Sequence, residues 1–266
     1  MSNKTYVVKL GGGEGNNPIP ALHNLAVRVK NGERWILVHG CSAATNQLAE
    51  DLSYPPRTLT SPSGHSSRYT DSRTIQIFSM AAAAVNQNLT AQLCSYDITA
   101  LGLAGPNIIR AERKKNVRAI VNGKQVIVRD DYTGKINGVN WGILSTLLQG
   151  GVTPVVAPLA MGDEYESLNV DGDLVAAHIA EALDADSLII LSNVPGLLQD
   201  VGRPDSLISE FRLAEMEHYE ALAAGRMKKK LLAAQVANAP RCILADSRVD
   251  FPLDEALGGA GTHILK

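Results

Sequence analysis

Apolar residues in this chain fall into two alternating kinds of segment. Short runs dense in aliphatic and β-branched residues read as strands: Tyr6–Leu10, Trp35–His39, Gln125–Arg129, Thr153–Ala157, Ser187–Ser192, Arg241–Ala245 and Thr262–Leu265. Between them lie stretches with helical periodicity, at Ile19–Lys30, Ser42–Leu52, Asp71–Leu89, Val139–Gln149, Gly172–Leu183 and Arg226–Asn238. Strand–helix alternation predicts an α/β fold with a mainly parallel sheet covered by helices. Val121–Asn122–Gly123–Lys124 predicts a hairpin turn and therefore some antiparallel pairing. Tyr54–Tyr69, rich in Pro, Ser and Gly and lacking an apolar period, reads as a loop. A soft boundary near Met161–Ser167 divides one continuous fold into residues 1–165 and 166–266.

Composition narrows the function classes. A chain of 266 residues, 45% hydrophobic and 20% charged, can bury a full core. Its formal net charge of −2 gives no bias toward nucleic acid or a membrane surface. No stretch approaches the ~20 apolar residues of a membrane span, and MSNKTYVVKL has no signal-peptide pattern. Cys41, Cys94 and Cys242 are far apart and form no CxxC pair, which argues against disulfides and structural zinc. A cytoplasmic enzyme without a protein-held metal is the expectation.

The chemistry-bearing positions cluster at strand ends. The first strand ends at Lys9 and Leu10 and runs directly into Gly11, Gly12 and Gly13. In α/β sheets, ligands bind beyond the carboxyl ends of strands, where glycine lets backbone amides approach an anion. The lysine precedes the glycines and no GKS or GKT follows, so this is not a Walker loop; GxGxxG is also missing. A tight strand-to-helix turn is an equal reading of the glycines alone. The second strand ends at His39 and Gly40 and passes through Cys41 and Ser42 into a helix, whose N-terminal amides suit phosphate. His39 is read as a structural hydrogen-bonding group rather than a base, and Cys41 as a backbone donor rather than a nucleophile.

In this order, KLGG, VHG, SRYTD, LNVDGD, LSNVPGLL and GRMKKKL resemble the amino acid kinase family, most closely its acetylglutamate kinase branch. Within that branch, HGCSAATN, SPSGHSSRYTD, DYTGK, AAGRMKKKLLAA and the closing GAGTHILK are similar to the LysW-aminoadipate kinase group. The resemblance covers essentially the whole chain. It implies a three-layer αβα sandwich, with residues 1–165 holding the acyl substrate and the dimer contact and residues 166–266 holding ATP. The implied reaction moves the γ-phosphoryl of MgATP onto a side-chain carboxylate, with the metal held mainly by phosphates.

The resemblance also assigns roles. Lys9 and Lys230 would neutralise the transferring group, and Asp173 would hold both lysines. Gly12, Gly40, Cys41 and Ser42 would line the acceptor site, with Arg68 on the substrate α-carboxylate and Asn169 beside it. Ser192, Asn193, Gly196, Gly225, Met227 and Lys230 would meet the nucleotide. Local readings compete at three positions. Asp173 opens a helix, where aspartate is commonly a cap. Lys228 is the alternative to Lys230 within a lysine run, and Arg68 could be a surface charge beside Asp71. The absence of a His/Asp/Ser constellation fits the reaction, since a carboxylate with a pKa of ~4.3 needs no general base at neutral pH.

Arg110, Arg113, Lys114, Lys115 and Arg118 cluster in RAERKKNVR. An isolated charge run is ordinarily a solvated edge. The resemblance supplies a partner for it in LysW, a small acidic carrier whose C-terminal glutamate blocks the substrate's α-amine, and it implies a homodimer. N-acetylglutamate kinase and a non-catalytic amino-acid or nucleotide sensor on the same fold are the competing readings. Aminoadipate and glutamate differ by one methylene, and no single residue here reports that depth.

Overall fold

The computed structural model describes residues 4–62, 66–121, 123–223 and 225–266. The chain opens with β1 (Thr5–Leu10), α1 (Ile19–Lys30), β2 (Arg34–His39) and α2 (Ser42–Asp51). β3 (Thr58–Thr60) and β4 (Ser66–Arg68) precede the long α3 (Ser72–Ser95). Then come β5 (Ala100–Leu103), β6 (Ile109–Arg113), β7 (Val117–Val121), β8 (Lys124–Val128) and β9 (Gly134–Val139). α4 (Trp141–Gln149), β10 (Thr153–Val156), β11 (Leu159–Met161) and β12 (Ser167–Asn169) follow. The last part runs α5 (Gly172–Ala182), β13 (Ser187–Ser192), β14 (Glu210–Arg212), α6 (Met216–Glu220), α7 (Arg226–Ala237), β15 (Arg241–Asp246), α8 (Pro252–Gly258) and β16 (Thr262–Leu265).

The central sheet has eight strands in the order β14-β16-β15-β13-β1-β2-β10-β5. From β15 to β5 every pairing is parallel, while β16 runs antiparallel to β15. Successive strand residues face opposite sides, and this alternation builds two cores. Val7, Ile36, Val38, Leu188 and Ile190 pack with Leu144 of α4, Val175 and Ile179 of α5, and Leu231 of α7. Val8, Leu10, Trp35, Leu37, Ile189 and Leu191 pack with Leu22 and Leu25 of α1, Leu93 of α3 and Leu253 of α8. The result is the expected three-layer αβα sandwich. Every residue of β1 is buried, because the strand lies at the middle of the sheet with helices on both sides.

Two four-stranded sheets, β12-β11-β6-β9 and β4-β3-β7-β8, accompany the main one. They hold most of the differences from the sequence reading, with β5 and β14 of the central sheet the others among the strands. Tyr54–Tyr69 contains the antiparallel pair β3 and β4 rather than only loop, because Thr60 pairs with the distant Ile120 and the strand owes its existence to that contact. Residues 63–65 of this segment, and Asn122 of the expected turn, lie outside the described residues, but β7 and β8 do pair antiparallel. Val139 ends a strand, so α4 begins only at Trp141. Met161 and Ser167 pair across the short connection between β11 and β12. No helix among the described residues is long and apolar enough to cross a membrane.

Candidate active site

β1 delivers Lys9 to the carboxyl end of the sheet, on the face covered by α5 and α7. The two helices are alanine-rich where they meet the core, with Ala176, Ala177 and Ala180 on α5 and Ala233, Ala234 and Ala237 on α7 all buried in one cluster. Small side chains let the helix backbones approach closely, and this brings Asp173 between the two lysines. Lys9 Nζ lies 2.8 Å from Asp173 Oδ1, and Lys230 Nζ donates to Oδ2 at 3.0 Å. All three side chains are about nine-tenths buried, at 11%, 8% and 10% exposure for Lys9, Asp173 and Lys230. Burial by itself would raise the Asp173 pKa, but the two ammonium groups override it and hold the carboxyl well below its usual range. The Lys230 pKa is lowered, by burial first, against the opposing pull of Asp173. Two cations on one anion leave a net positive charge facing the strand ends.

The competing local positions are occupied as follows. Asp171, not Asp173, caps α5, accepting from the amides of Asp173 and Leu174. Asp173 is therefore free for the lysines. Lys228 is exposed and Lys229 pairs with Asp171 at 3.0 Å, so Lys230 alone of the run turns inward.

The two glycine turns touch. A Cβ on Gly12 would fall 2.0 Å from the Gly40 carbonyl carbon and 2.3 Å from the Cys41 nitrogen, so only glycine fits. The Gly12 carbonyl accepts from Ala43 N at 2.8 Å and Ser42 Oγ at 2.9 Å, which locks the first turn onto the start of α2. Gly40 spends its own amide on the Leu10 carbonyl, at 2.9 Å. Its part in the turn is spacing, since a Cβ there would fall 2.6 Å from the Gly12 nitrogen. His39 is buried, its Nε2 is 3.1 Å from Asn86 Nδ2, and desolvation pushes its pKa down to about 4. It is a neutral structural histidine. The Cys41 thiol is also buried and pushed up to about 11, first by desolvation, so it stays protonated.

Arg68, at the end of β4, reaches α2: Nη2 donates to Asn46 Oδ1 at 2.6 Å and to the Ser42 carbonyl at 3.3 Å. Its Nη1 is buried and has no hydrogen-bond partner among the described residues. Asp71 does not pair with it; that carboxylate takes Tyr54 and Arg57 and caps α3 through Thr74 N. Arg68 is thus a guanidinium with a spare donor, not a surface charge beside Asp71. Asn169 Nδ2 donates to Thr70 Oγ1 at 3.0 Å, two residues beyond Arg68.

On the nucleotide side, Ser192 ends β13 and its carbonyl accepts from Ser247 N at 2.7 Å, while Asn193 is exposed. Gly196 is packed inward, since a Cβ there would meet Thr262 Oγ1 at 2.5 Å. Gly225, at φ 54°, opens α7, and Met227 is half-buried against the core. Arg226 lies within the Gly225–Lys230 segment expected at the nucleotide, without being singled out by the sequence. Its Nη1 lies 3.6 Å from the position a Cβ on Gly13 would take, so α7 reaches the first glycine turn. Its only sequence signal was its place in GRMKKKL.

The five basic residues do not behave alike. Arg113 stacks on Tyr132 at 3.7 Å, donates to the Asp131 carbonyl at 2.8 Å and approaches Asp130 at 3.6 Å. Arg110 contacts Met161 Sδ at 2.8 Å. Lys114 is exposed, and its pKa is lowered, by partial desolvation first and by the charge of Lys229 second. Lys115 and Arg118 are exposed.

A buried lysine–aspartate–lysine cluster, with Lys9 on the strand that runs into the first glycine turn, can neutralise and orient a phosphoryl group without any base. The model of the amino acid kinase family matches residues 4–239. The chain belongs to that family. This kinase is 43% identical to a LysW-aminoadipate kinase of Deinococcus radiodurans, over 97% of this chain and 90% of that one. It is 42% identical to a LysW-aminoadipate kinase of Thermus thermophilus, over 97% and 99% of the two chains. Among solved structures, N-acetylglutamate synthase from Neisseria gonorrhoeae superposes with a TM-score of 0.80 at 22% identity, over 99% of this chain and 59% of that one, and shows the shared fold. The protein is an ATP-using phosphotransferase of the amino acid kinase family.

Proposed function

We propose that this kinase phosphorylates the side-chain carboxylate of 2-aminoadipate carried on LysW. LysW-linked glutamate is the competing acceptor, which would place the enzyme in arginine rather than lysine biosynthesis. A carboxylate oxygen attacks the γ-phosphorus, the bond to the bridging oxygen breaks, and ADP leaves with the electron pair; the products are an acyl phosphate and ADP. The barrier is repulsion between an anionic acceptor and a polyanionic donor, so positioning and charge carry the step. The observation that carries the reading is the Lys9–Asp173–Lys230 contact, in which two ammonium groups share one buried carboxylate near the end of β1. Gly12, Cys41 and Ser42 amides would donate to the same oxygens.

Arg68 supports the acceptor side. Its unpartnered Nη1 is a donor that an α-carboxylate would satisfy, and a buried orphan donor is otherwise costly. Ser192, Asn193 and the Gly225–Lys230 segment would meet ATP. No group of three or more His, Cys, Asp or Glu among the described residues could hold a metal ion, and both Asp173 oxygens face lysines. Magnesium would arrive on the phosphates. The division into an acceptor lobe (1–165) and a nucleotide lobe (166–266) belongs to the same reading, with Asn169 contributing to the acceptor from the second. A homodimer through the first half is favoured by Met80 on α3 and Leu101 on the edge strand β5, at 51% and 45% exposure. The acidic carrier would meet Lys114, Lys115, Arg118 and Arg110, with Arg113 already engaged by its own neighbours.

The relatives' names supply the acceptor. The test offers LysW-linked aminoadipate, LysW-linked glutamate and N-acetylglutamate with MgATP, and traps the acyl phosphate with hydroxylamine. Preference for LysW-linked aminoadipate is expected; preference for the free acetylated acid would replace this reading with N-acetylglutamate kinase.

A further inference from the structure

Asp131 is 2% exposed and makes no salt bridge with a lysine or arginine among the described residues, yet it is not idle. One oxygen accepts from Thr133 N at 2.9 Å and from the Thr133 hydroxyl; the other accepts from Thr70 N at 3.3 Å. Its neighbours extend the same junction. Tyr132 N donates to the Thr70 carbonyl at 2.7 Å, and Asn169 N donates to the Tyr132 carbonyl at 2.8 Å. Thr70 Oγ1 in turn accepts from Asn169 Nδ2. On the other side, Arg113 Nε donates to the Asp131 carbonyl and Lys114 N to the Thr133 carbonyl. Residues 131–133 therefore tie together three segments far apart in sequence: the end of β4 with Arg68, the end of β12 with Asn169, and the basic end of β6.

We propose that Asp131 is the positioning residue of the acceptor pocket, fixing through Thr70 where Arg68 and Asn169 stand. The inference rests on the reading that Arg68 and Asn169 hold the acceptor. The chemistry favours a carboxylate at this junction. An ionised carboxyl accepts at both oxygens and donates nothing, and here every group facing it is a donor. An asparagine could satisfy only one side, because its NH2 would meet either the Thr70 or the Thr133 amide head-on. The side chain is 2% exposed, and its donors belong to the segments that carry the acceptor residues.

The test compares Asp131→Asn and Thr70→Val with Arg68→Ala and Asn169→Ala. Steady-state kinetics would vary LysW-linked aminoadipate and ATP separately, alongside thermal unfolding. Thr70→Val keeps the backbone bond to Asp131 and removes the hydroxyl that accepts from Asn169 and donates to the Arg68 carbonyl at 3.3 Å. Asp131→Asn and Thr70→Val should each raise the acceptor KM at least fivefold, with the ATP KM within twofold of the parent. Thr70→Val and Asn169→Ala should combine to less than the sum of the two, since both cut the Thr70–Asn169 link. If Asp131→Asn fails to fold, Thr70→Val decides. A folded Asp131→Asn or Thr70→Val protein with an unchanged acceptor KM, or with acceptor and ATP KM moving together, would overturn the proposal. An unchanged acceptor KM in Arg68→Ala and Asn169→Ala would instead overturn the underlying placement of the acceptor.

Discussion

His39 and Cys41 flank Gly40 in the second turn, and burial keeps both out of acid–base chemistry. For His39 the folded pKa of about 4 lies below its ordinary 6.5, so the unfolded chain binds the extra proton between those values. Stability from the neutral imidazole is complete above pH 6.5 and is lost as the pH falls toward 4. Urea unfolding across that window should show the native protein losing up to about 3 kcal/mol relative to a His39→Gln variant; parallel pH curves would show that the histidine charges freely in the fold. Cys41 contributes its amide, so Cys41→Gly should keep turnover within about threefold of the parent. A loss beyond about tenfold would give the side chain a part in the reaction. At this scale the sequence was informative where chemistry constrains position. Lys9 could be placed from strand-end geometry alone, whereas Lys230 could be separated from Lys228 only by resemblance, since a lysine run carries no sign of which member turns inward. Asp131 and Arg226 stand in the sequence only as members of DYTGK and GRMKKKL, because their significance lies in contacts with residues distant along the chain.

The elements show the same division. β1, β2, β13, β15 and β16 came through as apolar runs because they lie in a sheet that is covered on both faces, and their helices because one stripe must meet that sheet. β3, β4, β11, β12 and β14 are three residues each and draw their pairing from distant partners, so no local period marks them. α5 illustrates how a short motif divides its labour: in NVDGD the first aspartate caps the helix and the second holds the lysines. Asp171→Ala should cost about 1 kcal/mol of stability through the lost cap, measured by denaturant unfolding, with the acceptor and ATP KM values changed little. A large rise in the ATP KM would instead give Asp171 and its partner Lys229 a direct part in nucleotide binding.

Across the whole molecule, charge is spread unevenly on a chain whose formal net charge is only −2. The exposed Lys114, Lys115 and Arg118 would steer an acidic carrier at long range, an interaction screened within about a Debye length of 10 Å at 0.1 M salt. Affinity for LysW should therefore fall steeply as salt rises, and a salt-insensitive affinity measured by calorimetry would remove these residues from the docking surface. The fold reads from the sequence as an architecture, and the site reads as a set of strand ends. The three-dimensional meeting of Lys9, Asp173 and Lys230 needed the close packing of α5 on α7. That meeting is the center of the account, and turnover of Lys230→Ala with LysW-linked aminoadipate and MgATP tests it most directly. Loss of one preorganised cation at the transferring group should lower kcat by about 100-fold or more while leaving the acceptor KM nearly unchanged; turnover within twofold of the parent would contradict it.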